Sequence, residues 1–255
     1  MEIYKVILLA IEQGITELLP ISSSAHLILS AKLLNFEMDT YFLSLLHLGT
    51  TISILIYFSP TLFKDIFKRK TFNFYLKIVL STIPVAIIGL LFESTIENIL
   101  RGDLVIVISL ILWGIVMITV EKTRKNEKEI DLHDITWKQS LVMGASQILA
   151  LIPGTSRSGI TTISGILTGV NKYVALQYSF ILGIPVLLGA SGYVLFKNID
   201  VEQFTSTHLL GVIISAVVGI LALQLLKKVK RTNWLTVFGY YRIFLGIVIL
   251  LTILF

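Results

Sequence analysis

Cysteine is absent from this chain of 255 residues, which excludes disulfides, thiolate metal sites and cysteine nucleophiles. Charge is scarce as well. Asp, Glu, Lys and Arg make up 15% of the residues, against about 25% in ordinary soluble domains. No long polar stretch occurs, so nothing is left to build a second, soluble domain. The first residues, "MEIYKVILLAIEQG", hold one lysine and no small-residue cleavage site, and do not read as a cleaved signal peptide.

Apolar residues fill the space. They are 55% of the chain, with a mean hydropathy of +0.87. Several stretches of 17 to 24 residues carry almost no charge. At about 1.5 Å per residue such lengths cross a hydrocarbon core of about 30 Å. An all-α polytopic membrane protein is expected, with residues 1–255 forming one membrane domain. The net charge of +5 sits in short loops, where it reads as a topology signal and not as a nucleic-acid footprint.

Six apolar runs stand out: 41–58, 76–92, 104–120, 173–196, 208–226 and 235–255. The basic residues that follow each run count 4, 1, 4, 1, 4 and 0. The first, third and fifth loops are therefore expected inside and the C-terminus outside. For this pattern to hold, 1–40 and 135–172 must each begin and end on one side. Both are apolar but broken by Pro, Gly and Ser, as re-entrant pairs of short helices would be. "ELLPISSSAH" (17–26) and "ALIPGTSRSG" (150–159) align on Pro20 and Pro153, which sets Ser23 on Ser156, with a one-residue slip at Gln13 and Gln147. Each half is then one re-entrant segment plus three spans, about 1–120 and 135–255. Three is odd, so the halves are expected as an inverted-topology repeat.

Ionisable groups at membrane depth cost about 2.5–3.5 kcal/mol each and mark function by default. Glu12, Glu17, His26 and Arg157 are in this position. Glu12 alone reads equally well as an interfacial side chain that snorkels. Gln13 and Glu17 share a helix face, Pro20 ends that helix, and a second helix beginning near Ser22 would aim its N-terminus into the break. The second segment offers the same arrangement in "PGTSRSG", with Thr155, Ser156 and Ser158 around the planar guanidinium of Arg157. Together these make an oxyanion site, most plausibly for phosphate. Ser23 as nucleophile with His26 as its base is one mechanism. Water activated by Glu17 and His26 is the other, and Glu17 is also a candidate ligand for a divalent cation such as Mg or Ca. Capping alone would explain one serine, but not two matched clusters.

"QGITELLPISSSAHLIL" and "IPGTSRSG" resemble the two signature motifs of the undecaprenyl-pyrophosphate phosphatase family, the bacitracin-resistance type. "LLHLGTTISILIYF", "YSFILGIPVLLGA" and "YYRIFLG" extend the resemblance along the chain. It implies an integral enzyme of the cell membrane that converts the lipid pyrophosphate to undecaprenyl phosphate and inorganic phosphate, recycling the carrier lipid for wall polymers. It implies Glu17, Ser23, His26 and Arg157 as catalytic residues, with Gln13, Ser22, Thr155, Ser156 and Ser158 around the substrate. Its partners would be the polyprenyl lipid and the membrane, and a homo-oligomer is compatible with it. Many members carry glutamate where this chain has Gln13.

A secondary transporter or lipid flippase is the competing class, since inverted repeats with polar midplanes also suit transport. The type-2 phosphatidic-acid phosphatase pattern fails, because Ile163 stands where a second histidine is needed. His47 reads equally as a buried structural histidine or as a site member. Arg242 is expected in a structural or supporting role, or snorkelling outward. His133 and His208 are given no role.

Overall fold

The structure is a computed structural model that describes residues 2–92, 96, 102–123, 130–197, 204–228 and 233–254. Arg101, Arg124, Lys125, Lys128, Lys230 and Arg231, which enter the loop-charge count, lie outside the described residues. Among those residues all regular structure is helical. Ten α-helices follow one another: α1 (Ile3–Thr16), α2 (Ser23–Leu33), α3 (Thr40–Leu62), α4 (Arg69–Leu91), α5 (Asp103–Thr123), α6 (Trp137–Ser146), α7 (Arg157–Leu167), α8 (Lys172–Lys197), α9 (Ser206–Lys228) and α10 (Trp234–Leu254). Six of them, α3, α4, α5, α8, α9 and α10, are long and apolar enough to cross a membrane. They cover the six apolar runs. The main difference is at α4, which starts seven residues before its run because Arg69, Lys70 and Asn73 are polar yet helical.

The four short helices form two units, α1–break–α2 and α6–break–α7. In both units the second helix has 11 residues. Each begins directly after a serine in the left-handed region, Ser22 (φ 74°, ψ 91°) and Ser156 (φ 71°, ψ 111°). A serine held at positive φ is strained, by about 1–3 kcal/mol. Such a conformation aims the following N–H groups into the break instead of along a continuing helix.

This matched geometry corrects the alignment read from the prolines. Structurally Ser22, not Ser23, is the counterpart of Ser156. The two serines stand 134 positions apart, and so do Gln13 and Gln147. The slip between the glutamines is therefore no slip. Pro20 and Pro153 are the pair out of register, because the breaks differ internally: the second contains a 3₁₀ turn, Leu149–Leu151.

Close helix contacts are made where small residues remove the Cβ, the usual device where lipid gives no hydrophobic push between helices. A Cβ on Gly49 of α3 would lie 2.0 Å from Ser215 Oγ of α9. One on Gly144 of α6 would lie 2.1 Å from the Ser81 carbonyl of α4. Beside that crossing, Ser140 Oγ lies 2.7 Å from Ser81 Oγ and 2.6 Å from Tyr178 Oη, which ties α6 to α4 and α8. A core of Leu18, Ile54, Phe58, Phe74, Tyr178 and Phe180 lies between the two units and the spans.

Gly144→Ala should destabilise the protein by about 2 kcal/mol, because backbone and not a flexible tip occupies the space. Gly189→Ala, where nothing lies within 4 Å, should be neutral or stabilising by up to about 1 kcal/mol. Thermal melts of the two detergent-purified variants test the pair, and equal melting temperatures would contradict the packing described.

Candidate active site

Glu17 follows α1 in the first break, and every contact of its buried carboxylate carries chemistry. Ser23 Oγ donates to its Oε2 at 2.6 Å, and Gln13 Nε2 donates to the same oxygen at 3.4 Å. The Nη2 of Arg157 donates to Oε1 at 2.9 Å. Arg157 opens α7 in the other unit, so this ion pair joins residues 140 positions apart. The remaining Nη1 donates to the Ser179 carbonyl of α8 at 3.1 Å. The guanidinium fits only because α8 has a glycine there: a Cβ on Gly183 would lie 1.9 Å from Nη1.

A cavity of about 180 Å³ opens over this pair. Glu17, Ser22, Ser23, Ser24, Ser156, Arg157, His47 and Gln147 all reach its wall. Ser23 and Ser156 thus meet at one cavity, where the N-termini of α2 and α7 also converge. Unpaired N–H groups and the positive ends of two helices suit an anion. The volume lies below the roughly 300–1,000 Å³ that encloses a drug-sized ligand. Such a volume suits a polar headgroup and not a long chain.

Not every expected residue is brought there. Thr155 is 1% exposed, and its Oγ1 lies 3.2 Å from Ser109 Oγ of α5, away from the cavity wall. Ser158 is buried behind Ser156, their hydroxyls 3.4 Å apart. Gln13 lies under Glu17 and touches the site only through it. Glu12 takes a hydrogen bond from Ser30 of α2 at 2.7 Å, so it braces the first unit instead of reaching into water.

His26 is the main difference. Its Nδ1 lies 2.7 Å from the Ser22 carbonyl, and a carbonyl only accepts, so Nδ1 carries the proton. Nε2 then accepts from Tyr241 Oη at 2.7 Å, with the two rings stacked. Both ring nitrogens are occupied, so the structure does not bring His26 to Ser23 as a base. The carboxylate of Glu17 holds that place. His47, on α3, donates from Nδ1 to the Leu43 carbonyl at 2.8 Å and turns Nε2 toward Glu17 Oε2 at 3.6 Å.

Arg242 of α10 does not snorkel. It is fully buried and donates to two carbonyls, Pro20 at 3.2 Å and Gly154 at 2.5 Å. These two positions are also 134 apart, so one side chain grips equivalent points of both breaks.

Residues 6–248 match the family described as bacitracin resistance protein BacA. The chain belongs to this family. Undecaprenyl-diphosphatase 1 of Clostridioides difficile (strain 630) is 39% identical to it over 262 residues, 98% of this chain and 96% of the relative. Undecaprenyl-diphosphatase of Enterococcus faecalis (strain ATCC 700802 / V583) is 38% identical over 97% of this chain and 96% of the relative. The protein of the same name from Thermodesulfovibrio yellowstonii is 38% identical over 98% of this chain and 97% of the relative.

In this BacA-family protein Glu17 is the one carboxylate among the residues that line the cavity, and its oxygens are already engaged. One carboxylate oxygen is taken by a guanidinium, the other by two donors, and Gln13 turns its N–H toward the same carboxylate. Among the described residues no group of three or more His, Cys, Asp and Glu side chains is placed to hold a metal. Ca²⁺ takes 6–8 oxygens, whereas Mg²⁺ commonly keeps several waters and uses one or two carboxylates with substrate phosphate oxygens, so Glu17 is the protein ligand available to either.

Tyr241, Ser179 and Gly183 belong to the site but were not singled out from sequence. They lie in "YYRIFLG" and "YSFILGIPVLLGA", stretches that carry the resemblance without stating a role for any one residue. Gly183→Ala should cost about 3–5 kcal/mol, the range for breaking a buried ion pair by removing one partner, since the added methyl displaces the guanidinium. In an Arg157→Ala background the same substitution should cost far less. A double-mutant cycle in thermal melts measures this coupling, and full additivity would mean that Gly183 does not seat the arginine.

Proposed function

We propose that this protein is an integral membrane phosphatase that hydrolyses undecaprenyl pyrophosphate to undecaprenyl phosphate and inorganic phosphate. The reaction recycles the carrier lipid for cell-wall polymers, and with it confers bacitracin resistance. The observation that carries the chemistry is the Ser23–Glu17–Arg157 chain, with hydrogen bonds of 2.6 and 2.9 Å beside two helix N-termini. The names of the relatives support the substrate, and the transporter reading is not favoured by them.

The contacts support the following roles. Ser23 Oγ attacks the terminal phosphorus while Glu17 accepts its proton. The bond from that phosphorus to the bridging oxygen breaks, and undecaprenyl phosphate leaves with the electron pair. Water then attacks the same phosphorus, the Oγ–P bond breaks, Glu17 returns the proton to Ser23 Oγ, and inorganic phosphate is released. Arg157 and the N–H groups of α2 and α7 hold the charge that spreads over the phosphoryl oxygens. His26 acts through position: clamped by Tyr241, it fixes the Ser22 carbonyl and so the strained turn that presents Ser23. No step is assigned to Mg or Ca, given the donor set.

For the setting we propose a multi-pass protein of the plasma membrane with its C-terminus outside. The two short-helix units dip into the bilayer from opposite faces, as the halves of one domain with inverted topology. The loop-charge alternation and the matched strained serines support this arrangement.

Purified protein should release phosphate from undecaprenyl pyrophosphate, and failure to do so would remove the reading. Ser23→Ala should lower the rate by several orders of magnitude. A loss of only about tenfold, the size of one neutral hydrogen bond, would assign the attack to water and leave Ser23 as a ligand.

Arg157→Lys keeps the charge but loses the planar fork that holds Glu17 and Ser179 together. A large loss of phosphate release with normal membrane insertion is expected. Activity near wild type would make Arg157 a structural counter-ion only.

A further inference from the structure

Gln147 lines the cavity, is 1% exposed, and among the described residues has no hydrogen-bond partner at either Nε2 or Oε1. Buried carboxamides are normally satisfied, and one left bare costs free energy in the resting protein. The register of the two units explains how it comes to be bare. Gln13 occupies the equivalent place and donates to Glu17. In the second unit Leu151 stands where Glu17 stands in the first, 134 positions on, so Gln147 has no carboxylate to meet. Nothing else takes its place: the helix before it is locked to α4 at Gly144, three residues earlier, which seats its backbone without offering a partner. Arg157 Nε, in a side chain on the same wall, is also without a partner among the described residues.

Resting on the phosphatase reading, we propose that the Gln147 carboxamide is a ligand of the diphosphate headgroup. Its Nε2 donates to a non-bridging phosphoryl oxygen. An ionised diphosphate offers acceptors only, so Oε1 accepts from a water held in the same cavity. The second unit thereby contributes a neutral donor beside the guanidinium of Arg157, while the first contributes the nucleophile and its base.

Two variants of the full chain, purified in detergent, test this. Gln147→Met keeps the length and removes both hydrogen-bonding groups. Its KM for undecaprenyl pyrophosphate should rise about tenfold or more, because a hydrogen bond to a charged group is lost, with a smaller change in kcat. Its melting temperature without substrate should equal or exceed that of the wild type, since an unsatisfied buried group has gone. Gln147→Glu keeps the size but presents oxygens where a donor is needed, and should raise KM at least as far. A KM within about twofold of wild type in either variant overturns the proposal, as one lost bond to phosphate exceeds that. So does a Gln147→Met chain whose melting temperature falls along with its activity, which would mark Gln147 as structural. The two readings fail separately. Wild-type protein that releases no phosphate removes the phosphatase, whereas wild-type kinetics in Gln147→Met removes only this ligand.

Discussion

The ion pair between Glu17 and Arg157 sets the terms for the centre of the molecule. Their side chains are 7% and 11% exposed, and the charged atoms meet at 2.9 Å. Burying two charges costs several kcal/mol per ion, which their attraction repays only when the geometry is good and the other lone pairs and protons are satisfied. Here they nearly are: Ser23, Gln13 and the Ser179 carbonyl complete the set, and among the described residues Arg157 Nε and Gln13 Oε1 are left over. A hydrophobic pair would serve stability as well. The charges make sense as a preset field, a carboxylate aligned on a hydroxyl and a cation within reach of a phosphate.

That pair holds only if two chain breaks face each other at the right separation, and Arg242 provides the link. Gripping the Pro20 and Gly154 carbonyls, it ties both breaks just before the strained serines that begin α2 and α7. The strain at Ser22 and Ser156 needs such over-determination, because a free chain would relax it. On the first side His26 and Tyr241 add a second clamp. The second unit uses instead its own serine, whose hydroxyl caps the Gly159 N–H at 3.2 Å.

The two units share the positive-φ serine and the 11-residue helix that follows it, and differ in chemistry. In the structural register Ser23 stands opposite Arg157, and Glu17 opposite Leu151. The two matched serine turns thus place a hydroxyl with its carboxylate on one wall and a cation on the other. Placed alike, the carboxylates would have repelled each other and left no cation for phosphate.

Much of this was legible in the sequence, for reasons that are local. Lipid imposes long apolar runs, so the six spans declared themselves. The cost of ionisable groups at depth picked out Glu17 and Arg157, and Pro20 with the serine runs marked both breaks. Membership of the BacA family was carried by two contiguous motifs. What sequence could not decide were contacts between distant residues. His26 lies three positions from Ser23, yet a carbonyl and a tyrosine 215 residues away take both its nitrogens. The proline alignment set the repeat one residue wrong, because only backbone dihedrals show which serine starts each helix. Arg242 was expected in a structural or supporting role, but the two carbonyls it grips, and the berth that Gly183 leaves for Arg157, appear only once α8 and α10 are packed against the breaks. Periodicity and composition report the solvent a residue faces, whereas hydrogen-bond partners and steric berths depend on which helices meet, and that is settled by packing across the whole chain.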